Sequence, residues 1–230
     1  MSGNSKTTSA KNELSFLENH FDADNVADLE KSLETQMNGG TYDFDNNLAL
    51  MKVYQTSPKF YTTGRTNLTN VLIKALMSLP GNDFIFLSAL IPKKVIDQSK
   101  DLKVLMKLNT LLRSADFVEF WATVRKTDAD LKISDVKCFE QNLRLYIASM
   151  VRCAYRKLEI GQLLSALDLT EASPAFLALV KSQGWTLDRT SATPMVTFPA
   201  NENNQDREKM STDDGMKVVF NDRIIETLLS

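Results

Sequence analysis

The sequence predicts a mainly α-helical chain, a stack of helical hairpins (HEAT/TPR-like) followed by a small winged helix. Three observations predict it. From Asn25 to about Leu158, apolar residues recur at three- and four-residue steps almost without interruption. Only eight glycines and six prolines occur in 230 residues, which suits short connections between helices. Beyond Leu158 the pattern shortens to two brief helical runs and two strand-like stretches around a turn.

The helical part divides at its breakers. Val26, Leu29, Leu33 and Met37 share one face of a first helix, which Gly39-Gly40 ends. Leu48, Met51, Val53 and Tyr54 mark a second, stopped at Ser57-Pro58. Leu68, Val71, Leu72, Ala75, Leu76 and Leu79 mark a third, closed by Pro80-Gly81. Asn82 is placed to cap NDFIFLSAL, which Pro92 terminates, and a further helix runs from Leu102 to Leu112. Asp116 and Glu119 have the spacing of a capping box, and Phe117, Phe120, Trp121 and Val124 form the stripe that follows. The longest helix is predicted from near Ser134, carrying Val136, Phe139, Leu143, Ile147, Met150, Ala154 and Leu158. Short loops between such helices imply antiparallel neighbours.

The winged helix is read from Glu159 onward. A helix to Leu167 is followed by one that Thr170 can cap, with Pro174 in its first turn and Gly184 at its C-cap. WTLD and PMVTF then read as two strands. The expected organisation is a flexible tail over 1–21, a helical-repeat domain over 22–157, a winged helix over 158–200, a polar linker over 201–216 and a terminal helix over 217–230. In that last helix Asn221 is the cap, and Phe220, Ile224, Ile225, Leu228 and Leu229 are apolar residues in need of burial.

Composition excludes several classes. With 27 Lys plus Arg against 29 Asp plus Glu, the whole chain has no bias toward polyanions. His20 is the only histidine, and no C-x-x-C, phosphate loop or nucleophile elbow occurs, so no catalytic centre, cofactor or metal is expected. Cys138 and Cys153 fall about 22 Å apart along one predicted helix, too far to bridge. Two free thiols, the lack of a secretory signal and the lack of an apolar span point to a cytoplasmic protein.

Charge also tests the winged helix as a nucleic-acid reader. Between Arg156 and Ala200 four basic residues face four acidic ones, which leaves little for counterion release. The second helix carries Phe176, Leu177, Leu179 and Val180 instead of a row of cations, an apolar surface suited to protein. The alternative is a nucleic-acid-binding winged helix. It would use the basic residues Lys132, Lys137, Arg144, Arg152, Arg156 and Lys157 as a face for RNA or for an acidic partner.

Helical hairpins leading into a winged helix resemble the PCI family, the scaffold subunits of the proteasome lid, the COP9 signalosome and translation initiation factor 3. LEKSLETQ (29–36), YDFDNNLALMKVYQ (42–55), VLIKALMSLPGNDF (71–84), FVEFWATV (117–124) and the Gly184-Trp185 pair resemble, in that order, the initiation-factor branch. The resemblance implies a non-catalytic scaffold subunit that meets other subunits of that factor, especially subunit L, and reaches the small ribosomal subunit through the complex. It also implies that the terminal helix, Phe220 to Leu229, bundles with helices of partner subunits. A scaffold of the proteasome lid or signalosome is the alternative within the family.

Overall fold

The computed structural model describes residues 26–204, apart from 58, 134, 135, 191, 192 and 202. The expected tail, terminal helix and all of the linker beyond Asn204 lie outside the described residues.

Helices α1 (Val26–Gly39) and α2 (Phe44–Thr56) form the first hairpin. Val26, Leu29 and Leu33 are buried along α1, on the face their spacing predicts. Asp43 caps α2, its carboxylate accepting the Asn46 N–H at 3.1 Å. After a single turn, α3 (Phe60–Thr63), comes α4 (Arg65–Met77). From Val71 to Met77 every residue of α4 is buried, because α1, α5 (Asp83–Ala89), α7 (Lys100–Arg113) and α9 (Phe139–Ala154) all pack around it. A helix apolar on all sides belongs in the middle of a bundle. Two elements complete this part, the short α6 (Lys93–Gln98) and α8 (Phe117–Leu131).

The first hairpin also has a polar interior. Gln36 and Asn47 exchange side-chain amide bonds of 3.1 Å in each direction. Lys74 of α4, only 1% exposed, donates its Nζ to the Gln36 carbonyl at 3.2 Å. Burial holds the Lys74 ammonium below the usual lysine range.

Several predicted boundaries move. The longest helix begins at Phe139, not near Ser134. Cys138 is its N-cap, in the left-handed region at φ 64°, and Val136 is buried in the preceding turn, bonded to Ile133 and Phe139. It ends at Ala154 because Tyr155 is extended, so Leu158 lies in a strand. Pro92 is the N-cap of α6, and α5 stops earlier, at Ala89. Asn82 makes no side-chain cap, since its Oδ1 accepts from Arg113 at 3.1 Å. Asp116 caps α8, but Glu119 does not reciprocate; its carboxylate goes to Lys107 at 2.9 Å.

In the winged helix, β1 (Lys157–Glu159), α10 (Ile160–Leu167), α11 (Pro174–Gln183), β2 (Thr186–Asp188) and β3 (Met195–Thr197) follow in order. The two expected strands pair antiparallel, Leu187 opposite Val196. A third, β1, adds to the other edge of β3 with Leu158 opposite Val196. Helical spacing had absorbed Leu158, because a single apolar position serves either period. Ser173, not Thr170, precedes α11, with Pro174 at its first position, and Gly184 closes it at φ 65°. One buried apolar cluster extends from Val26 through α4 to Phe198.

Candidate functional site

The winged helix meets the helical layers at the C-terminus of α10, where a helix leaves carbonyls without internal partners. Three side chains from α8 and α9 supply donors. Trp121 Nε1 donates to the Ala166 carbonyl at 3.0 Å. Arg144 Nε donates to the Leu167 carbonyl at 3.0 Å, and its Nη2 to that of Asp168 at 3.4 Å. Arg125 Nε donates to the Asp168 carboxylate at 3.1 Å. Glu140 joins the two arginines, accepting from Arg125 at 2.7 Å and pairing with Arg144 at 2.9 Å.

Both guanidinium groups lie over the Trp121 ring, Arg144 at 5.1 Å and Arg125 at 5.8 Å from its centroid. Asp168 sits in the left-handed region at φ 51°, which turns the chain out of α10. The hydrogen bond that Arg125 donates to the Asp168 carboxylate, opposed by desolvation and reinforced by Glu140, raises the Arg125 guanidinium above its ordinary range, so it stays a cation. The arrangement has no nucleophile and no base poised for proton transfer. It ties the end of α10 to α8 and α9. By spacing alone Trp121 belongs to an apolar stripe and Arg144 to a basic face for RNA or an acidic partner.

The sequence-derived partner residues divide on α11. Phe176 is fully buried and Leu179 nearly so, while Val180 packs against the core. These three, at i, i+3 and i+4, form the inward side, so they are not offered to a partner. Leu177 points outward and is 50% exposed, beside exposed Pro174, Ala175, Ala178 and Lys181. Phe220, Ile224, Ile225, Leu228 and Leu229 lie outside the described residues.

The six basic residues do not form one stripe. Lys132 is the left-handed C-cap of α8 and Lys137 lies in the turn before α9; both are exposed. Arg156 and Lys157 are exposed beyond the far end of α9, about 24 Å away at the helical rise. Arg144 is taken up by the junction, and Arg152 is partly buried. Among the described residues no cluster of His, Cys, Asp or Glu could hold a metal ion, and no helix is long and apolar enough to cross a membrane.

The model of the CSN8/PSMD8/EIF3K family matches residues 64–209, from the start of α4 through the whole junction. The chain belongs to this family. Relatives named eukaryotic translation initiation factor 3 subunit K have similar sequences. That of Aspergillus niger is 33% identical, with 75% of this chain and 70% of the relative aligned. That of Xenopus laevis is 32% identical, over 72% of this chain and 73% of the relative. That of Bos taurus is 29% identical, over 74% and 75%. The family match contains Trp121, Arg125, Glu140, Arg144 and Asp168, and it stops short of the terminal apolar segment.

Proposed function

We propose that this member of the family is subunit K of translation initiation factor 3, a non-catalytic scaffold working in the cytoplasm. It supports assembly of the preinitiation complex on the small ribosomal subunit through contacts with other subunits of the factor, subunit L in particular. The helical-repeat domain (22–157) carries the winged helix (158–200), and the terminal helix (217–230) buries Phe220, Ile224, Ile225, Leu228 and Leu229 against partner helices.

One observation carries the reading. The outward side of α11, where a nucleic-acid reader would carry a row of cations, presents Pro174, Ala175, Leu177 and Ala178 with Lys181 as the one cation among them. An exposed apolar helix face on a fixed support suits protein contact. The relatives' names support initiation factor 3 as the complex to which such a contact would belong.

The test is affinity purification from RNase-treated lysate with protein mass spectrometry, on the full chain, on Leu177→Asp and on a chain ending at Gly215. Initiation-factor subunits should accompany the full chain and be depleted by either change. Recovery of proteasome-lid or signalosome subunits instead, or loss of all partners on RNase treatment alone, refutes the reading.

A further inference from the structure

Only one asparagine of the chain is followed by glycine, Asn38 in the last turn of α1. An asparagine amide is lost without any enzyme when the nitrogen of the next peptide unit attacks its Cγ, and a glycine there leaves that nitrogen unshielded by a Cβ. Asn38 and Gly39 are both exposed, and the Asn38 side chain makes no hydrogen bond among the described residues. A Cβ built on Gly39 would meet only Thr41 Oγ1, at 3.6 Å. Gly40, at φ 76°, has already left the helical region.

In a closed turn the Gly39 N–H is held by the carbonyl four residues before it, so the turn must open before the attack. Two glycines at a helix end gain the most freedom on opening. The firm attachments lie one turn back. The Gln36 carbonyl accepts the Gly40 N–H at 3.2 Å and the buried Lys74 Nζ at 3.2 Å. The Gln36 side chain accepts the Asp43 N–H at 3.0 Å, at the start of α2. Opening residues 38–40 thus breaks backbone bonds at the surface and leaves Lys74 its acceptor.

We propose that Asn38 is a spontaneous modification site of the folded protein, converted through a cyclic imide to aspartate and isoaspartate, and that the isoaspartate unhooks the end of α1. The Gly39 nitrogen forms a bond to Asn38 Cγ, and its proton leaves with the amide nitrogen as ammonia. Water then opens the imide. Cleavage at Cγ gives aspartate on the original main chain. Cleavage of the original peptide bond leaves the chain running through Cγ, one carbon longer. The aspartate is accommodated, because Asn38 lines a recess of about 500 Å³ with Arg65, Lys132, Asp101 and Asp130. Asp130 is paired with Lys100, so among the described residues two unpaired cations face one unpaired carboxylate there. The isoaspartate differs, because its extra carbon lies inside the ring closed by the Gly40–Gln36 bond. The last turn loses its shape, and the connection to Asp43 shifts with it.

The inference is independent of the scaffold reading. To test it, the full chain is incubated folded at physiological temperature and mildly alkaline pH. Peptide mapping follows Asn38, and isoaspartyl methyltransferase with a labelled methyl donor counts the isoaspartate. Asn38 should be lost faster than every other asparagine of residues 26–204, at a rate that rises with pH because the attacking nitrogen must give up its proton. Gly39→Ala fits the space at that position and should slow the loss by at least about fivefold, the factor that alanine's helix preference alone contributes. Asn38→Asp should melt with the unmodified chain. The isolated isoaspartyl protein should melt about 2–4 °C lower, as for one lost hydrogen bond in a chain of this size. An amide that persists in the folded chain while the urea-unfolded chain loses it overturns the proposal. So do equal rates in Gly39→Ala, or an isoaspartyl protein that melts with Asn38→Asp. A rate that climbs with urea as steeply as global unfolding also overturns it, since conversion would then belong to the unfolded chain.

Discussion

Trp121 shows how one side chain does two jobs. Its ring fills the α8 core, edge-on to Phe120 at 5.1 Å, while its N–H ends α10 at Ala166. Trp121→Phe keeps most of the ring and leaves that half-buried carbonyl short of a donor, a cost of about 1 kcal/mol. The urea midpoint should fall with an unchanged slope. A normal midpoint would mean that water replaces the bond. Tyr54 makes a different prediction. Burial first, and then its hydrogen bond to Glu30, raise its hydroxyl pKa above the ordinary value of 10.0. Past that pH the unfolded chain loses the phenol proton and the folded chain keeps it, so the unfolded state binds fewer protons and stability falls as pH rises. Tyr54→Phe should flatten that fall between about pH 9 and pH 11, read from urea midpoints across the range.

At the scale of elements, the joint between α3 and α4 depends on an absence. A Cβ on Gly64 would lie 2.6 Å from Tyr54 Oη and 2.7 Å from its Cζ. The Tyr54 ring cannot retreat: it stacks on Phe60 at 5.2 Å and its hydroxyl accepts from Asn67 at 3.0 Å. Gly64 has φ −95°, so the requirement is space and not backbone freedom. Gly64→Ala should therefore destabilise by about 1–3 kcal/mol through overpacking, seen as a lowered Tm. Pairing it with Tyr54→Leu should recover part of the loss, and no recovery would place the strain elsewhere. Nothing in the local sequence around Gly64 announces this requirement, since the clash involves a residue one helix away.

For the whole molecule, the junction and the exposed face of α11 make separable contributions. Leu177→Asp alters a half-exposed side chain outside the core, so stability should stay within about 0.5 kcal/mol while copurified subunits are lost. Arg144→Leu should reduce both, because it leaves the Leu167 and Asp168 carbonyls without their donor and Glu140 with Arg125 alone, which loosens the end of α10 that leads into α11. Denaturation curves alongside copurification separate the two. If Arg144→Leu lowers stability and leaves recovery intact, the junction is structural only.

Periodicity and breakers by themselves determined the succession of the longer helices, though not the short α3 and α6, the inward stripes of α1, α4 and α8, and the Pro174 and Gly184 ends of α11. These follow from spacing along one segment, and local sterics decide them. The order of quoted motifs, from Leu29 to Trp185, pointed to the family for the same reason. Only the tertiary structure decided the rest. The first strand had to find the free edge of β3 before Leu158 could leave its helical reading. Lys74 entered the core because the carbonyl of Gln36 was there to receive it. Arg144, separated in sequence from Asp168 by 24 positions, turned from a surface cation into a bond between two parts of the fold. In each case the deciding partner is distant in sequence, and a hydrogen bond that exists only after packing leaves no period to read.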